Sequence, residues 1–485
     1  MPTPTPPPAP TSSPASRLFI GHEVERPAPR SAGSGVPAAA AGTERRPVGP
    51  PGTAVPPADA PDVVRLVDDL LRAAVRAKAS DLHLEASEDG VRVRHRVDGV
   101  MREIARLPRA VGPPLVSRLK ILAALDIADR MRPQDGRAQL VVDGRRVEAR
   151  VSVLPAARGE NVVLRLQDPE AALESLDALG LGPAVRAHVE RLLDAREGLV
   201  LVTGPTGSGK TTTLYAALRL LLARGGLNVV TVEDPVERRL PGAVQVQVHE
   251  RAGLGFAAAL RSILRQDPDV VLVGEVRDRE TAAVAAQAAL TGHLVLATLH
   301  TLDAAGAVAR LADVGVEPFR LAAALRGVIA QRLVRALCPA CRVRVPAGWR
   351  DARLGGCAPE GEVVWTASRT GLAPAGGPCG RCGGAGYRGR LAVPEVLVAD
   401  AALAERIARG ASAASLAGAA HAAGMTSLWA NAVERVRAGA TSVDELLRVL
   451  EPPPRAAEPA RAAASRMAGA PSRPLPDLDA HFELA

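Results

Sequence analysis

The stretch Gly204-Pro205-Thr206-Gly207-Ser208-Gly209-Lys210-Thr211 follows the apolar run Leu199–Thr203 and leads into a helical pattern. It fits G-x-x-x-x-G-K-[ST] in the strand, loop and helix context of a phosphate-binding loop. Glycines let backbone N–H groups surround phosphate oxygens, and the helix N-terminus adds the positive end of its dipole. Lys210 suits the β- and γ-phosphates, and the Thr211 hydroxyl suits Mg²⁺. The residues predicted to bind nucleotide are Gly204, Pro205, Thr206, Gly207, Ser208, Gly209, Lys210, Thr211 and Thr212.

Lysine is rare in this chain, which strengthens the prediction for Lys210. Of the 60 basic residues, three are lysines, namely Lys78, Lys120 and Lys210, and the others are arginines. An arginine is too broad and planar for a cradle that is shaped to a point charge. The retained lysine therefore favours a phosphate site over an ordinary glycine turn.

Two further apolar runs end in a carboxylate. Val270–Gly274 is followed by Glu275, a candidate for the acid that holds Mg²⁺ directly or through water. Val229–Glu233 ends in Glu233, which we predict to orient or deprotonate an attacking water. Ligands bind at the carboxyl ends of parallel strands, so both acids are expected at one edge of a sheet.

His300 follows the apolar run Leu294–Leu299. Its position at a strand end makes it a candidate sensor of the γ-phosphate, although a structural role is the alternative for His293 and His300 alike. These runs alternate with helical stretches, and this alternation predicts a parallel sheet in an α/β domain.

Composition excludes several classes of protein. A charge of +8 over 485 residues is modest and aromatic residues make up 2%, so no nucleic-acid partner is expected. The apolar fraction of 47% supports cores built mainly of Ala, Leu and Val, and the length suggests about three domains. No run of 18 apolar residues predicts a spanning helix, and the first residues lack the pattern of a secretory signal.

The region before the phosphate loop reads as an α+β unit. Apolar spacing predicts helices over 62–79 and 118–128. Strands are predicted over 91–97, 146–153 and 162–166. Residues 1–61 hold 16 of the 41 prolines and 452–485 hold 7, so both ends are expected to be disordered tails.

Four cysteines form two C-x₂-C pairs, Cys338 with Cys341 and Cys379 with Cys382. Four thiolates suit tetrahedral Zn²⁺ in a closed, structural shell, although the interval between the pairs is longer than in a compact ribbon. Cys357 lies between them and is expected to be a bystander. Residues 332–395 carry ten arginines and four acids, a net charge of +6 that predicts either a docking surface or a solvated face.

Taken together, these motifs resemble the secretion ATPases that power type II secretion and type IV pilus assembly. An Asp box resembles Glu233–Glu237, a Walker B motif Val270–Asp278 and a His box Thr291–Thr301. The other matching stretches are Ala79–Glu85, Arg94–Gly99, Leu125–Ala128, Pro133–Arg137, Gly159–Arg165 and Leu264–Asp269.

The resemblance implies an α/β fold with a RecA-like P-loop ATPase domain, a preceding α+β domain, a zinc-binding subdomain and a small helical C-terminal region. It also implies a homohexamer in which arginines of the first domain, by family position Arg96, Arg150 and Arg165, reach the phosphates. Our domain assignment is 1–61 Pro-rich tail, 62–170 N-terminal domain, 171–334 ATPase domain, 335–395 tetracysteine zinc subdomain, 396–450 helical region and 451–485 tail.

By this resemblance the chain is a cytoplasmic motor on the inner face of the bacterial inner membrane, hydrolysing ATP to drive pseudopilus or pilus assembly. Its expected partner is an inner-membrane platform protein. A further inner-membrane docking protein stays open, since only the Pro-rich stretch precedes residue 62. Leu302 stands where relatives usually have Asn.

Three alternatives to an assembly motor are a pilus retraction motor, a RecA-like nucleic-acid motor and a scaffold that does not hydrolyse nucleotide. Retraction relatives generally lack the cysteine pairs. Lys210, Thr211, Glu233 and Glu275 are all intact, which argues against the scaffold.

Overall fold

The structure is a computed structural model that describes residues 62–167, 174–346, 363–368 and 377–453. Cys357 and the predicted tails, apart from residues 451–453, lie outside these ranges. Within them, no helix has the length and apolar character needed to cross a membrane.

The first sheet is antiparallel and covers the predicted α+β unit. Helix α1, Val63–Arg76, begins where the Asp62 side chain accepts hydrogen bonds from two backbone N–H groups. Its buried apolar face packs on the sheet together with a second helix. The strands lie in the order β3-β2-β1-β6-β5-β4. Their bounds are β1 Asp81–Ser87, β2 Gly90–Val97, β3 Val100–Leu107, β4 Gln134–Val142, β5 Arg145–Ala156 and β6 Gly159–Gln167.

The helix predicted over 118–128 is wrong in its bounds, because helix α2 spans Gly112–Leu122. Prolines at its start supply the backbone angle of a first turn at little cost. At its end, Ala124 adopts a left-handed φ of 55° and the Leu125 N–H donates to the Lys120 carbonyl at 2.8 Å. The chain therefore leaves the helix six residues earlier than the apolar spacing suggested.

Lys120 is buried in this first unit, with 1% of the residue exposed. Its ammonium donates to the Asp129 carbonyl at 2.7 Å and lies 2.6 Å from a Glu160 carboxylate oxygen. A buried charge is tolerated only when it is paired and hydrogen-bonded, and both conditions are met here. Lys120 therefore fixes the loop after α2 against the start of β6.

The second sheet has seven strands in the order β15-β12-β7-β11-β10-β8-β9. All neighbours are parallel except the β12–β15 pair. The central strands are completely buried because helices cover both faces, and such strands read as continuous apolar runs. Its strands are β7 Gly198–Thr203, β8 Val229–Glu233, β9 Ala243–Gln247, β10 Val270–Val273, β11 Leu294–Leu299, β12 Leu325–Leu337 and β15 Tyr387–Val398. A separate two-stranded ribbon comprises β13 Val343–Pro346 and β14 Val363–Thr366.

Helices flank this sheet and continue to the end of the described chain, and the predicted α/β class is confirmed. Four of them confirm the helical character expected of residues 396–450. The helices are α3 Pro183–Leu193, α4 Lys210–Arg224, α5 Phe256–Ile263, α6 Arg279–Ala289, α7 Ala304–Val314, α8 Pro318–Ala324, α9 Ala401–Ala408, α10 Ala413–Ala422, α11 Leu428–Arg437 and α12 Val443–Val449.

Strands β12 and β15 carry the sheet past the cysteines. They pair over most of their length, and Cys338 follows β12 directly. Both strands extend beyond residues 335 and 395, where we drew the limits of a zinc subdomain. The residues around Cys338, Cys341, Cys379 and Cys382, which we call the cysteine region, thus extend the second sheet, and the small β13–β14 ribbon belongs to the same part of the chain.

A buried charge network joins β12 to α12. The Glu445 side chain is fully buried and accepts hydrogen bonds from Arg335 at 2.7 Å and from Arg448 at 2.6 Å. Burial alone would raise the pKa of the Glu445 carboxyl, but the two guanidinium groups outweigh it and lower the pKa to about 2. The ionised pair therefore stabilises the folded state above the ordinary pKa, and that contribution is lost as the pH falls toward 2.

We expect Glu445→Gln to lower the free energy of unfolding by about 3 kcal/mol at pH 7, because a neutral amide replaces the buried carboxylate that the Arg335 and Arg448 guanidinium groups stabilise. The difference from wild type should narrow as the pH falls from 5 toward 2. Urea unfolding followed by tryptophan fluorescence measures it, since Trp429 packs in the same cluster as Leu446. The matched control is Glu405→Gln, which breaks the exposed Glu405–Arg409 pair and should cost under about 1 kcal/mol.

Candidate active site

The phosphate-binding loop lies between buried β7 and α4, as predicted from the sequence. Gly207 and Gly209 have φ angles of 78° and 89°, which favour glycine. A Cβ atom at Gly204 would lie 2.5 Å from the Gln331 carbonyl oxygen and from the Ser208 hydroxyl. The buried Ser208 hydroxyl has no hydrogen-bond partner among the described residues. The loop is therefore tightly packed, and the Ser208 hydroxyl is available to bind a ligand.

Gln331 of β12 supports this loop from behind. The side-chain nitrogen Nε2 donates to the Ser208 carbonyl at 2.7 Å, and the side-chain oxygen Oε1 accepts from the Thr213 hydroxyl at 2.9 Å. The side chain is 1% exposed, so losing either partner would leave a buried polar group unsatisfied. Sequence reasoning did not identify Gln331, because nothing local connects it to a loop more than 120 residues earlier.

Lys210 folds back over the loop. Its ammonium donates to the carbonyls of Gly204 at 2.9 Å and Pro205 at 3.2 Å, and it lies 3.5 Å from His300 Nδ1. Burial lowers the pKa of Lys210, while the charge of Glu275 acts in the opposite direction. The cation is thus held at the mouth of the cradle.

Glu233 is 4% exposed and tightly oriented at the end of β8. One carboxylate oxygen accepts from Thr231 at 2.6 Å and from Gln245 at 3.2 Å, and the other accepts from Tyr215. Burial and the Glu233 charge raise the pKa of Tyr215, so its hydroxyl stays a donor. Three donors therefore fix the direction in which this carboxylate faces.

Glu275 and His300 contact each other across the ends of neighbouring strands. His300 Nε2 lies 3.2 Å from one Glu275 oxygen, and Arg277 donates to the other at 2.7–2.8 Å. Burial and the nearby Lys210 charge lower the pKa of His300. The imidazole lies between the Lys210 ammonium on one side and the Glu275 carboxylate on the other.

A cavity of about 360 Å³ joins these groups. Its lining includes most of the residues that we predicted around the phosphates. They are Thr206, Gly207, Gly209, Lys210, Thr211, Thr212, Glu233, Glu275 and His300. The structure thus brings together residues from four separate strand ends.

Two residues of this cavity were missed as site residues. Glu237 closes the Asp box and lines the cavity together with Thr211. Burial and the Glu233 charge raise the pKa of Glu237. Arg390 of β15 also lines the cavity, although it lies far away in the sequence. The acid-rich stretch Glu233–Glu237 contained a signal for the first residue, whereas only the sheet order reveals the second.

The three predicted arginines lie elsewhere. Arg96 and Arg165 flank the buried Asp81, with nitrogen–oxygen distances of 3.5 Å and 3.1 Å. None of the three, Arg150 included, lines the phosphate-loop cavity in this conformation. Arg150 and Arg165 are cross-strand neighbours that line a second cavity, of about 370 Å³, on the first sheet.

Of the three arginines, Arg150 interacts electrostatically with acids of the Asp box. Burial and the neighbouring Arg137 lower its pKa, while the charges of Glu237 and Asp234 act in the opposite direction. The arginines therefore form their own cluster on the first sheet, and the acids that follow β8 of the second sheet lie close enough to act electrostatically on Arg150.

The four cysteines converge as predicted. The sulfur atoms of Cys338, Cys341, Cys379 and Cys382 all lie within 4.8 Å of one another. Backbone N–H groups of Cys382 and Arg381 lower the pKa of the Cys379 thiol to about 7. Four converging sulfurs, three of them buried, fit a tetrahedral thiolate site.

Comparisons with known proteins agree with this geometry. The family model described as Type II/IV secretion system protein matches residues 57–448. Type II secretion system protein E of Klebsiella pneumoniae is 49% identical, over 81% of this chain and 77% of that protein. Type II secretion system ATPase E of Vibrio cholerae is 45% identical, over 81% of this chain and 76% of that protein.

The fold is shared more widely. The ATPase DotB of Legionella pneumophila superposes with a TM-score of 0.58 at 22% identity, covering 79% of this chain and 95% of DotB. With a family match over most of its length and relatives near half identity, the chain belongs to the Type II/IV secretion system protein family.

Proposed function

We propose that this protein hydrolyses ATP and uses the energy to drive pseudopilus or pilus assembly in type II secretion or type IV pilus biogenesis. The observation that carries the proposal is the single cavity in which Lys210, Glu233, Glu275 and His300 meet behind a phosphate-binding loop. Membership of the secretion family supports the coupling to protein transport.

Hydrolysis transfers the γ-phosphoryl group to water, and the protein acts by positioning and by stabilising charge. In our proposal the backbone N–H groups of residues 206–212 donate to the phosphates, and Lys210 neutralises charge on the β- and γ-oxygens. Glu233, held by three donors, orients the attacking water. His300, which contacts Glu275, would sense whether the γ-phosphate is present.

Mg²⁺ fits the same cavity, because Thr211 and Glu275 offer the hard oxygen ligands that it prefers. When bound, it would neutralise phosphate charge. Glu237 lies in the same lining, where burial and the Glu233 charge raise the pKa of its carboxyl.

We further propose that the first unit, 62–170, completes the site by closing on the ATPase domain, 171–334. Arg96, Arg150 and Arg165 would reach the phosphates in that closed state. The Arg150 guanidinium already acts on the acids of the Asp box, which supports such an approach. Closure would occur within a homohexameric ring.

The proposed motor acts at the cytoplasmic face of the bacterial inner membrane on a platform protein. A retraction motor is the second candidate. The converging cysteines favour assembly over retraction, because relatives that retract pili generally lack them. We propose no nucleic-acid partner.

Lys210→Ala should abolish ATP hydrolysis, because the compact cation at the cradle is lost while the surrounding strands are untouched. Lys210→Arg should also lower turnover by at least about 100-fold, since a planar guanidinium does not fit the cradle despite its charge. Phosphate release by the purified protein with Mg²⁺ and ATP measures both variants. Undiminished turnover of Lys210→Ala, with unchanged circular dichroism, would contradict the proposal.

The control for these variants is Arg406→Ala, which removes an exposed cation of α9 away from the cavity. It should leave turnover within twofold of wild type. An equal loss in this control would assign the effect to net charge.

We propose that the four cysteines hold one structural Zn²⁺, which would tie the segment that follows β12 to the segment that precedes β15. Cys379→Ser should reduce the zinc content from about one equivalent to near zero, because a hydroxyl is a poor replacement for a thiolate ligand. Inductively coupled plasma mass spectrometry of the purified protein gives the metal content directly.

Cys357→Ser is the matched control, because it removes a thiol from between the two pairs. It should leave the zinc content unchanged. A wild-type protein without zinc, or a loss equal in both variants, would overturn the assignment.

A further inference from the structure

A crevice of about 700 Å³ separates the first sheet from the cysteine region. One wall comprises the end of α1 and parts of β2 and β3, and the other comprises residues around Cys382 and the start of β15. The Gly389 N–H donates to Asp98 across it at 2.9 Å. This space is distinct from the phosphate-loop cavity, and the mechanism above does not use it.

The lining of the crevice is strongly basic. Arg76 is already paired with Asp143, with a nitrogen–oxygen distance of 2.8 Å, and Asp98 is the carboxylate that lines the space. The other cations have no carboxylate within 4.0 Å among the described residues. They are Lys78, Arg102, Arg381 and Arg388.

The same walls also contain a buried polar group without a described hydrogen-bond partner and an exposed apolar side chain. His95 is 3% exposed, and its Nε2 has no hydrogen-bond partner in the described part of the chain. Ile104 is 42% exposed, and the lining also includes Val97 and Tyr387. The crevice therefore fits a ligand that combines negative charge with apolar side chains.

The sequence beyond the described residues contains such a ligand. Residues 474–484, which we call the acidic segment, hold Asp477, Asp479 and Glu483 and no lysine or arginine. They also hold Leu478 and Phe482 among other apolar residues. By contrast, residues 454–473 carry four arginines and one glutamate, so opposite charges are segregated along this part of the chain.

The acidic segment can reach the crevice within the same chain. Tyr387 lines the crevice, and its hydroxyl lies 2.6 Å from that of Ser442, where α12 begins. The described chain continues from α12 to Pro453. The 24 residues from there to Asp477 span at most about 80 Å. This reach is several times the distance covered by α12 and residues 450–453, which lead away from Ser442.

We propose that the acidic segment docks in this crevice. Asp477, Asp479 and Glu483 pair with the cations of the crevice, and Leu478 and Phe482 pack against the exposed Ile104 side chain. Docking would add ion pairs to the Asp98–Gly389 hydrogen bond that joins the first sheet to the cysteine region. The crevice face of β2 bears His95, while the intervening Arg96 faces Asp81, so docking would also fix that strand.

The test is photo-crosslinking in the full chain with Phe482→p-benzoylphenylalanine. Irradiation should join position 482 to peptides that contain residues 95–104 or 381–389 of the same chain, as identified by mass spectrometry. Mixing isotopically labelled and unlabelled protein shows whether the adduct is intramolecular. Adducts that map to other surfaces would overturn the proposal, and ATP hydrolysis does not enter the readout.

Charge reversal tests the pairing itself. Arg102→Glu with Arg388→Glu should lower the crosslink yield at least fivefold, and adding Asp477→Arg with Asp479→Arg should restore at least half of it. Arg406→Glu with Arg409→Glu is the matched control on the exposed face of α9 and should change the yield by less than twofold. A yield insensitive to the crevice charges would overturn the proposal. So would pyrophosphate binding in the crevice while the adducts lie elsewhere, because that result identifies a small-anion site.

Discussion

The parallel register of four neighbouring strands is the constraint on which the candidate site depends. Val273 of β10 pairs with Val232 of β8 and with Ala297 of β11, which pairs in turn with Leu201 of β7. Adjacent strands lie about 4.8 Å apart, so the residues that follow these pairs emerge side by side. The phosphate-binding loop, Glu233, Glu275 and His300 meet for this reason, although about 100 residues separate the first from the last.

Strand β12 connects this edge to the rest of the second unit. Gln331 holds the phosphate-binding loop, and the buried Arg332 donates to the Leu302 carbonyl at 2.7 Å. The same strand leads directly to Cys338. The Leu302 side chain is 75% exposed while its backbone is fixed by Arg332, so replacing a polar residue there alters the surface and leaves the loop path intact.

Sequence reasoning predicted the parts of the fold that depend on local pattern. Central strands buried on both faces give continuous apolar runs, and the phosphate loop gives a fixed glycine spacing, so β7, β8, β10 and β11 were found. The end of α2 was missed because it depends on one left-handed residue, Ala124. Long-range contacts were also missed, since neither Gln331 behind the loop nor Arg390 in the cavity has a local signal. The domain limits and the roles of the arginines stay predictions.

The burial of Lys120 has a consequence for the chemistry of the protein surface. Lys120 is enclosed and ion-paired, and Lys210 is half-buried over its loop. Of the three lysines, Lys78 is therefore the one whose side chain is exposed. Guanidinium groups resist acylation because they stay protonated, and the abundant arginines therefore offer amine-directed reagents little to attack. A single acyl label placed at Lys78 would report from the wall of the basic crevice. The scarcity of lysine thus gives this molecule a nearly unique chemical handle, at the place where two of its units meet.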